Sequence, residues 1–395
     1  MKFFSRIERT KHILAVDIGT ATVNAFLVRS SPGRAPEILS SKRLDLKLGE
    51  DLDFERMWRQ VKTVLRELAA LLKNDSRGRH VDTVFAVLSS PWHVSQSRLV
   101  HMEPREEFFV TERILADLVL GEEELFKKKM QERFSLAPGE LVLLESNVMK
   151  TALNGYRVHS PFKKKARFLD MAVYTSLARK ETVESISEIF RQAWREVDIT
   201  IHSEPIVLFQ ALQGALDFEE GFLLLDVGGE ITEIFLMRKF IIEGMATFPR
   251  GGNFLARRLA ARLGVSPQDA MGFLKVQGRG DAKESLKGAL SSSLEEGSGQ
   301  WADFFSKALA EMSRVGYLPP TLVFLGGGAG IDALKAKTES ESLSKFTILG
   351  KPFRILTILP QHISKSFEGT TIDRKDPQFT LPLLLVLSAS GRYGV

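Results

Sequence analysis

At 395 residues the chain exceeds what one hydrophobic core usually organises, so two or more domains are expected. Its 44% hydrophobic and 26% charged residues are ordinary globular values, and a net charge of +5 is too small to demand nucleic acid or anionic lipid as a partner. With no cysteine, disulfides, thiolate zinc sites and cysteine nucleophiles are excluded, as in a protein of the reducing cytosol.

The leader 1–11, within "MKFFSRIERTKH", has basic and apolar residues but lacks the apolar core of a secretion signal. It reads as a short interfacial anchor or as a frayed tail. No apolar run approaches the ~18 residues of a membrane span. "HILAVDIGTATVNAFLVRS" is a strand ending at Asp17, a turn over Gly19 to Thr22, and a second strand; Glu37 to Leu46 supplies a third. Phe54, Met57, Trp58, Val61, Leu65, Leu68 and Leu72 then fall on one face of an amphipathic helix. This first part of one lobe runs over 12–80.

Between 81 and 166 the texture changes to strands flanking a charged helical stretch, the pattern of a small α+β insertion. The first lobe resumes over 167–216 with a buried strand, a helix, another strand, and a helix entered through "SEP". From 217 to 380 a second lobe repeats the opening meander, with strands at Gly221 to Asp226, Ile231 to Met237 and Phe240 to Thr247. Its upper part spans about 250–318 and includes Gly278 to Gln300, whose low apolar content reads as a mobile loop. Residues 381–395 form a closing buried helix starting near Pro382.

Three glycine-bearing turns, "VDIGTAT", "LDVGGEIT" and "FLGGGAG", each follow a buried strand. Glycine there lets main-chain N–H groups approach an anion without interference from a Cβ. Asp17 and Asp226 end the first two strands and would repel a phosphate unless a divalent cation lay between, held partly through water. Thr20, Thr22 and Thr232 offer hydroxyls to phosphate oxygens, and the third turn opens a helix suited to a base or phosphate. Singly each signal is an ordinary tight turn; two in duplicated meanders, with a Gly-Gly-Gly turn downstream, point to a nucleotide site.

These residues resemble the actin-like ATPase superfamily: "LAVDIGTATV" its first phosphate motif, "LLLDVGGEITEI" its second and "VFLGGGAGI" its adenosine motif. "HSEPIVLFQALQGALD" is similar to the connecting motif of DnaK-type chaperones. "VFAVLSSPWHVSQSRLV" and "PRGGNFLARRLAARLGVSPQDAMGFLKVQG" resemble segments shared by the FtsA and PilM branch. The resemblance, spanning roughly Ile13 to Gly394, implies an α/β, two-lobed actin-like (ribonuclease H-like) fold with duplicated mixed sheets and an SHS2-type insertion. It places Asp17 and Asp226 at the magnesium-bound phosphates, Gly19, Thr20, Gly228 and Gly229 in the phosphate clasps, and Gly326, Gly327 and Gly328 at the adenosine of ATP or ADP. Glu204 matches an acid that positions magnesium and the attacking water; by itself it is also an ordinary helix N-terminal acid. Lys275 matches a lysine near the adenine or ribose, and equally an exposed helix lysine.

Three departures bear on activity. Thr22 stands where FtsA commonly has a lysine, Glu230 interrupts the usual Gly-Gly-Gly-Thr of the second loop, and Gly272 replaces an acid before Lys275. Two charges ~4 Å apart at an effective dielectric of about 20 interact by about 4 kcal/mol, so an inward Glu230 would weaken γ-phosphate binding severely. An outward Glu230 would be a solvated turn residue; strand alternation cannot choose, because the turn sets the direction. The expectation is an ATP- or ADP-binding scaffold with magnesium, at most a slow ATPase.

By resemblance, such a scaffold works at the cytoplasmic face of the inner membrane and polymerises or docks partners there. The leading reading is FtsA-like, recruiting an FtsZ-like partner in cell division. The alternative is PilM-like, binding the cytoplasmic tail of a bitopic PilN-like protein in type IV pilus assembly. The short basic-apolar leader and the stop at Val395, without FtsA's terminal anchor, favour the alternative, while the strands of the insertion read as closer to FtsA. A small-metabolite kinase is a lesser reading without a substrate-side base. Nucleic acid is not expected, since basic and aromatic residues do not interleave.

Overall fold

β1 (Lys11–Ile18) and β2 (Thr22–Ser30) pair antiparallel around the Gly19 turn, and β3 (Glu37–Asp45) extends the meander before helix α1 (Phe54–Asp75). This is a computed structural model whose described residues are 9–75, 80–213, 215–278, 284–369, 373 and 375–391, excluding the side chains of 275–278, 284–287 and 315. The leader through residue 8 therefore lies outside the described residues. Next in order come β4 (Thr83–Leu88), β5 (His93–Met102), β6 (Phe108–Phe109), α2 (Glu112–Phe134), β7 (Leu141–Leu153), β8 (Tyr156–Arg157), β9 (Lys165–Ala166) and β10 (Leu169–Arg179). α3 (Lys180–Ala193), β11 (Asp198–Ser203) and α4 (Glu204–Ala211) lead into β12 (Phe222–Val227), β13 (Thr232–Arg238) and β14 (Ile241–Phe248). The remainder is α5 (Gly252–Leu263), α6 (Pro267–Gly278), α7 (Glu284–Met312), β15 (Thr321–Leu325), α8 (Asp332–Thr338), β16 (Arg354–Thr357), α9 (Pro360–Ile363) and α10 (Thr380–Ala389).

Two five-stranded sheets share one topology. The first has the order β11-β4-β1-β2-β3 and the second β14-β13-β12-β15-β16. In each, an antiparallel meander is continued by two parallel strands. The duplication expected from the two meanders thus extends over whole sheets. Both faces of each sheet are covered, which is why β1, β12 and β15 read as nearly unbroken apolar runs.

Alternation along the strands divides the core. Ile13, Ala15 and Phe85 of the first sheet and Phe222, Leu224 and Val323 of the second point at α4 and α10, which lie between the sheets. Leu14, Val16 and Val84 point the other way, onto α1 and α3. Leu223, Leu225 and Ile234 pack against α7 and α8. The α1 face is as expected except that Phe54 is exposed and Ala69 is buried. Trp301 of α7 is fully buried, stacks on Phe305 with ring centroids 5.0 Å apart, and donates from Nε1 to Thr232 Oγ1 at 3.0 Å. Trp301→Ala is expected to cost about 3–5 kcal/mol, read from the urea midpoint of unfolding.

Two expectations are corrected. The segment 278–300 is not a loop where it is described: α7 runs from Glu284 to Met312, and residues 279–283 lie outside the described residues. One of its glycines has a packing reason, since a Cβ on Gly297 would sit 2.6 Å from Leu255 Cδ2 of α5. A small residue is needed where these helices touch, and Leu290 and Trp301 supply the buried side chains. Second, β4, expected to open the insertion, pairs parallel with β1 and β11 in the first sheet. Conversely β10, expected in the first lobe, pairs with β5 and β7 in a separate sheet of order β5-β10-β7-β8, against which α2 packs.

Candidate functional site: a cleft with four buried acids

The first two glycine turns are built alike. Gly19 N–H donates to Thr22 O at 3.2 Å, and Gly228 N–H donates to Ile231 O at 3.0 Å. Register then places Asp17 opposite Asn24 and Asp226 opposite Glu233. Asn24 Nδ2 donates to Asp17 Oδ2 at 2.9 Å, and Trp92 Nε1 supports the first turn through Gly19 O at 3.2 Å. The two turns touch: Glu230 N–H donates to Thr20 Oγ1 at 3.0 Å, and a Cβ on Gly229 would lie 2.5 Å from Ala21 Cβ. Under Asp226 runs the third turn. Gly326 has φ +75°, and a Cβ there would lie 2.0 Å from Asp226 Oδ1, so no other residue fits without a shift. Gly327 and Gly328 continue as a short 3-10 turn, with Gly328 pressed on Val227.

Four acids are buried together where the turns meet: Asp17, Glu204, Asp226 and Glu233. Carboxylate oxygens of Glu204, Asp226 and Glu233 all lie within 4.8 Å of one another. Burial, followed by the charges of Glu233 and Asp17, pushes Asp226 up to about 8. Burial raises Asp17 to about 6 against the Asn24 hydrogen bond, and burial plus the Asp226 charge holds Glu204 well above the usual range. Glu233 is also raised by burial, although Ser90 donates to it from Oγ at 2.8 Å and from N at 3.1 Å. Asp17 Oδ1 has no hydrogen-bond partner among the described residues, and the oxygens of Glu204 and Asp226 have at most Ser89 and each other. Buried oxygens in that state are costly, and a hard divalent cation is the partner whose ligand chemistry they match. The acids fit such a cation. The first two glycine turns, by contrast, are in mutual contact, so any anion between them would require the turns to part.

Glu230 takes neither of its two expected orientations. It is buried, but its oxygens are held by Arg257 Nη1 and Nη2 at 2.8 and 2.6 Å and by Asn253 Nδ2 at 2.8 Å. Its charge is therefore answered locally instead of being directed at the four acids. Thr22 sits beside Asn24, at 3.4 Å, while Thr232 is turned to other work: its hydroxyl donates to Arg250 O at 2.7 Å and accepts from Trp301. Lys275 lies on α6, and its side chain is outside the described residues. Sequence reasoning missed Glu233, Asn253 and Arg257. Glu233 could have been found, because a hairpin turning at 228–231 pairs position 226 with 233, as 17 pairs with 24.

Duplicated sheets of this topology, with acids at the paired turns and two helices between, make the chain an actin-like ATPase fold of the two-lobed α/β class. Among solved structures, a chain of the PilM-PilN type IV pilus biogenesis complex is similar with TM-score 0.65 at 17% identity, over 98% of this chain and 99% of that one. The ethanolamine utilization protein EutJ from Carboxydothermus hydrogenoformans gives 0.47 at 14% identity over 98% and 92% of the two chains, and the MamK double helical filament 0.47 at 13% over 96% and 98%. No family model matches the chain, and no curated protein matches it in sequence. No helix among the described residues is long and apolar enough to cross a membrane.

Proposed function

We propose that the chain is a scaffold of the PilM kind. It would hold a divalent cation with ATP or ADP in the cleft and dock the cytoplasmic segment of a membrane-anchored, PilN-like partner at the inner membrane. The observation that supports this most directly is the end-to-end likeness to a chain of the PilM-PilN complex, over 98% and 99% of the two chains, which leaves out neither lobe nor the block between them. In this reading Asp17 and Asp226, joined by Glu204 and Glu233, hold the cation. Gly19, Thr20, Gly228 and Gly229 face the phosphates once the turns part, and the Gly326 to Gly328 turn faces the nucleoside. Hydrolysis is slow or absent, because the closed resting contact between Thr20 and Glu230 must break before a phosphate is clasped.

Titration tests the reading. The protein is mixed with the cytoplasmic segment of a PilN-like protein from the same genome, and separately with the C-terminal peptide of FtsZ, each with and without magnesium and ATP. Binding of the first and not the second is expected. The reverse result would return the chain to the FtsA-like reading and to cell division. In the same experiment Asp17→Ala should lose magnesium-dependent nucleotide binding, and light scattering reports any self-polymerisation.

A further inference from the structure

We infer that Glu230, Arg257 and the Gly49 carbonyl form a latch that holds the two lobes closed across the cleft, independently of any ligand. Three groups of contacts carry this. Asn253 and Arg257 are four residues apart on α5 and so share one helix face, and both are aimed at the Glu230 carboxylate. The start of α5 is itself fastened to the second turn, with Gly252 N–H donating to Gly228 O at 3.0 Å and Asn253 N–H to Gly229 O at 2.8 Å. A Cβ on Gly251 would lie 2.4 Å from each of those two carbonyl oxygens, so turn and helix are pressed into one unit of the second lobe.

From that unit, contacts reach across to the first lobe. The Arg257 guanidinium, while gripping Glu230 with both terminal nitrogens, donates from Nε to Gly49 O at 2.9 Å, in the link between β3 and α1. Glu230 N–H reaches Thr20 Oγ1, and Leu48 N–H reaches Gln268 Oε1 of α6 at 3.4 Å. The fork is used fully only when all three acceptors are in place, which is a demand lysine could not meet. Glu230 is 3% and Arg257 17% exposed, so both partners are largely withdrawn from water.

A buried ion pair contributes little net stability compared with apolar packing but fixes geometry strictly. Removing either partner leaves the other buried and unanswered and so costs stability, but a latch also requires the lobes to part in variants that still fold. That separates a latch from a merely structural pair.

The absence of cysteine makes the test clean. Cysteines introduced at exposed Arg59 of α1 and exposed Ala261 of α5 carry spin labels, and the inter-label distance distribution is measured without nucleotide or metal. The parent should show a single narrow distribution. Glu230→Gln and Arg257→Met should each lose it and gain a longer-distance population, while both variants still unfold cooperatively. If Arg257→Met does not fold, Arg257→Lys, which keeps the charge and loses the fork, takes its place. A folded variant of either residue that keeps the parent distribution overturns the latch.

Discussion

Glu204→Gln should raise the melting temperature of chelator-treated protein near pH 8 and abolish most of the gain that magnesium or manganese gives the parent. The reasoning is linkage. Asp17, Glu204, Asp226 and Glu233 all have carboxyl groups raised by burial, Asp226 to about 8. Below about pH 4 these groups are protonated in folded and unfolded chains alike, and none costs anything. As the pH rises, the unfolded chain ionises first and binds fewer protons, so stability falls until the pH passes the folded values. For Asp226 the window runs from about 4 to about 8, and each unit by which a group lags costs about 1.4 kcal/mol. A neutral amide at Glu204 removes one such group and relieves Asp226 beside it, so the gain should be largest at the upper end of the window. A bound cation relieves the same strain by a different route, so the two effects should not add. A parent whose chelated stability is flat across this window, or a variant that keeps the full cation effect, would sink the assignment.

The second large effect has the opposite pH sign. Glu145, on β7 of the separate sheet, reaches the first lobe at the entrance to α4. Its Oε1 accepts from Ser176 Oγ at 2.5 Å, from Ser203 N–H at 3.0 Å and from Ser203 Oγ, and its Oε2 meets His202 Nδ1 at 3.2 Å. Tyr174 OH joins Ser203 Oγ at 2.7 Å, extending the network. Burial alone would raise this carboxyl, but the His202 contact and the serine hydroxyls outweigh it and hold it below its ordinary value. Such a group stabilises above about pH 4.5, and the contribution is lost as the pH falls through the folded value. Glu145→Ala leaves several buried donors unpaired, and the expected loss is about 3–5 kcal/mol at neutral pH. Urea unfolding at neutral and acid pH checks both size and sign: the gap between parent and variant should shrink in acid. A gap that widens there would contradict the network.

The parts legible in advance are those governed by local rules. Asp-x-Gly after an apolar run marked the first two tight turns, and Gly-Gly-Gly after "VFL" marked the third, where Gly326 has a positive φ. Parallel neighbours were not legible. β4 looks like any buried strand, and nothing local says that its partner is β1 and not β5. The long helix α7 was hidden because Gly297 answers to Leu255, a residue far away in sequence. Glu230 failed for the same reason, since Arg257 decides its direction from beyond two strands and a helix turn. Where partners lie close in the chain, composition sufficed; where a distant side chain decides, it did not.

α4 and α10 are buried along their length, and Ser388 Oγ ties them by donating to Val207 O at 3.2 Å. Drawing the lobes straight apart would strip both helices of their cover, at about 25 cal/mol for every Å² of apolar surface wetted. A roll of each sheet about these helices would keep that surface covered, so they can serve as an axle. Glu204 is the first residue of α4, so the axle itself carries one of the four acids. Any turn of α4 relative to the second sheet would carry that carboxylate against Asp226, so the spacing of the acids is tied to the angle between the sheets.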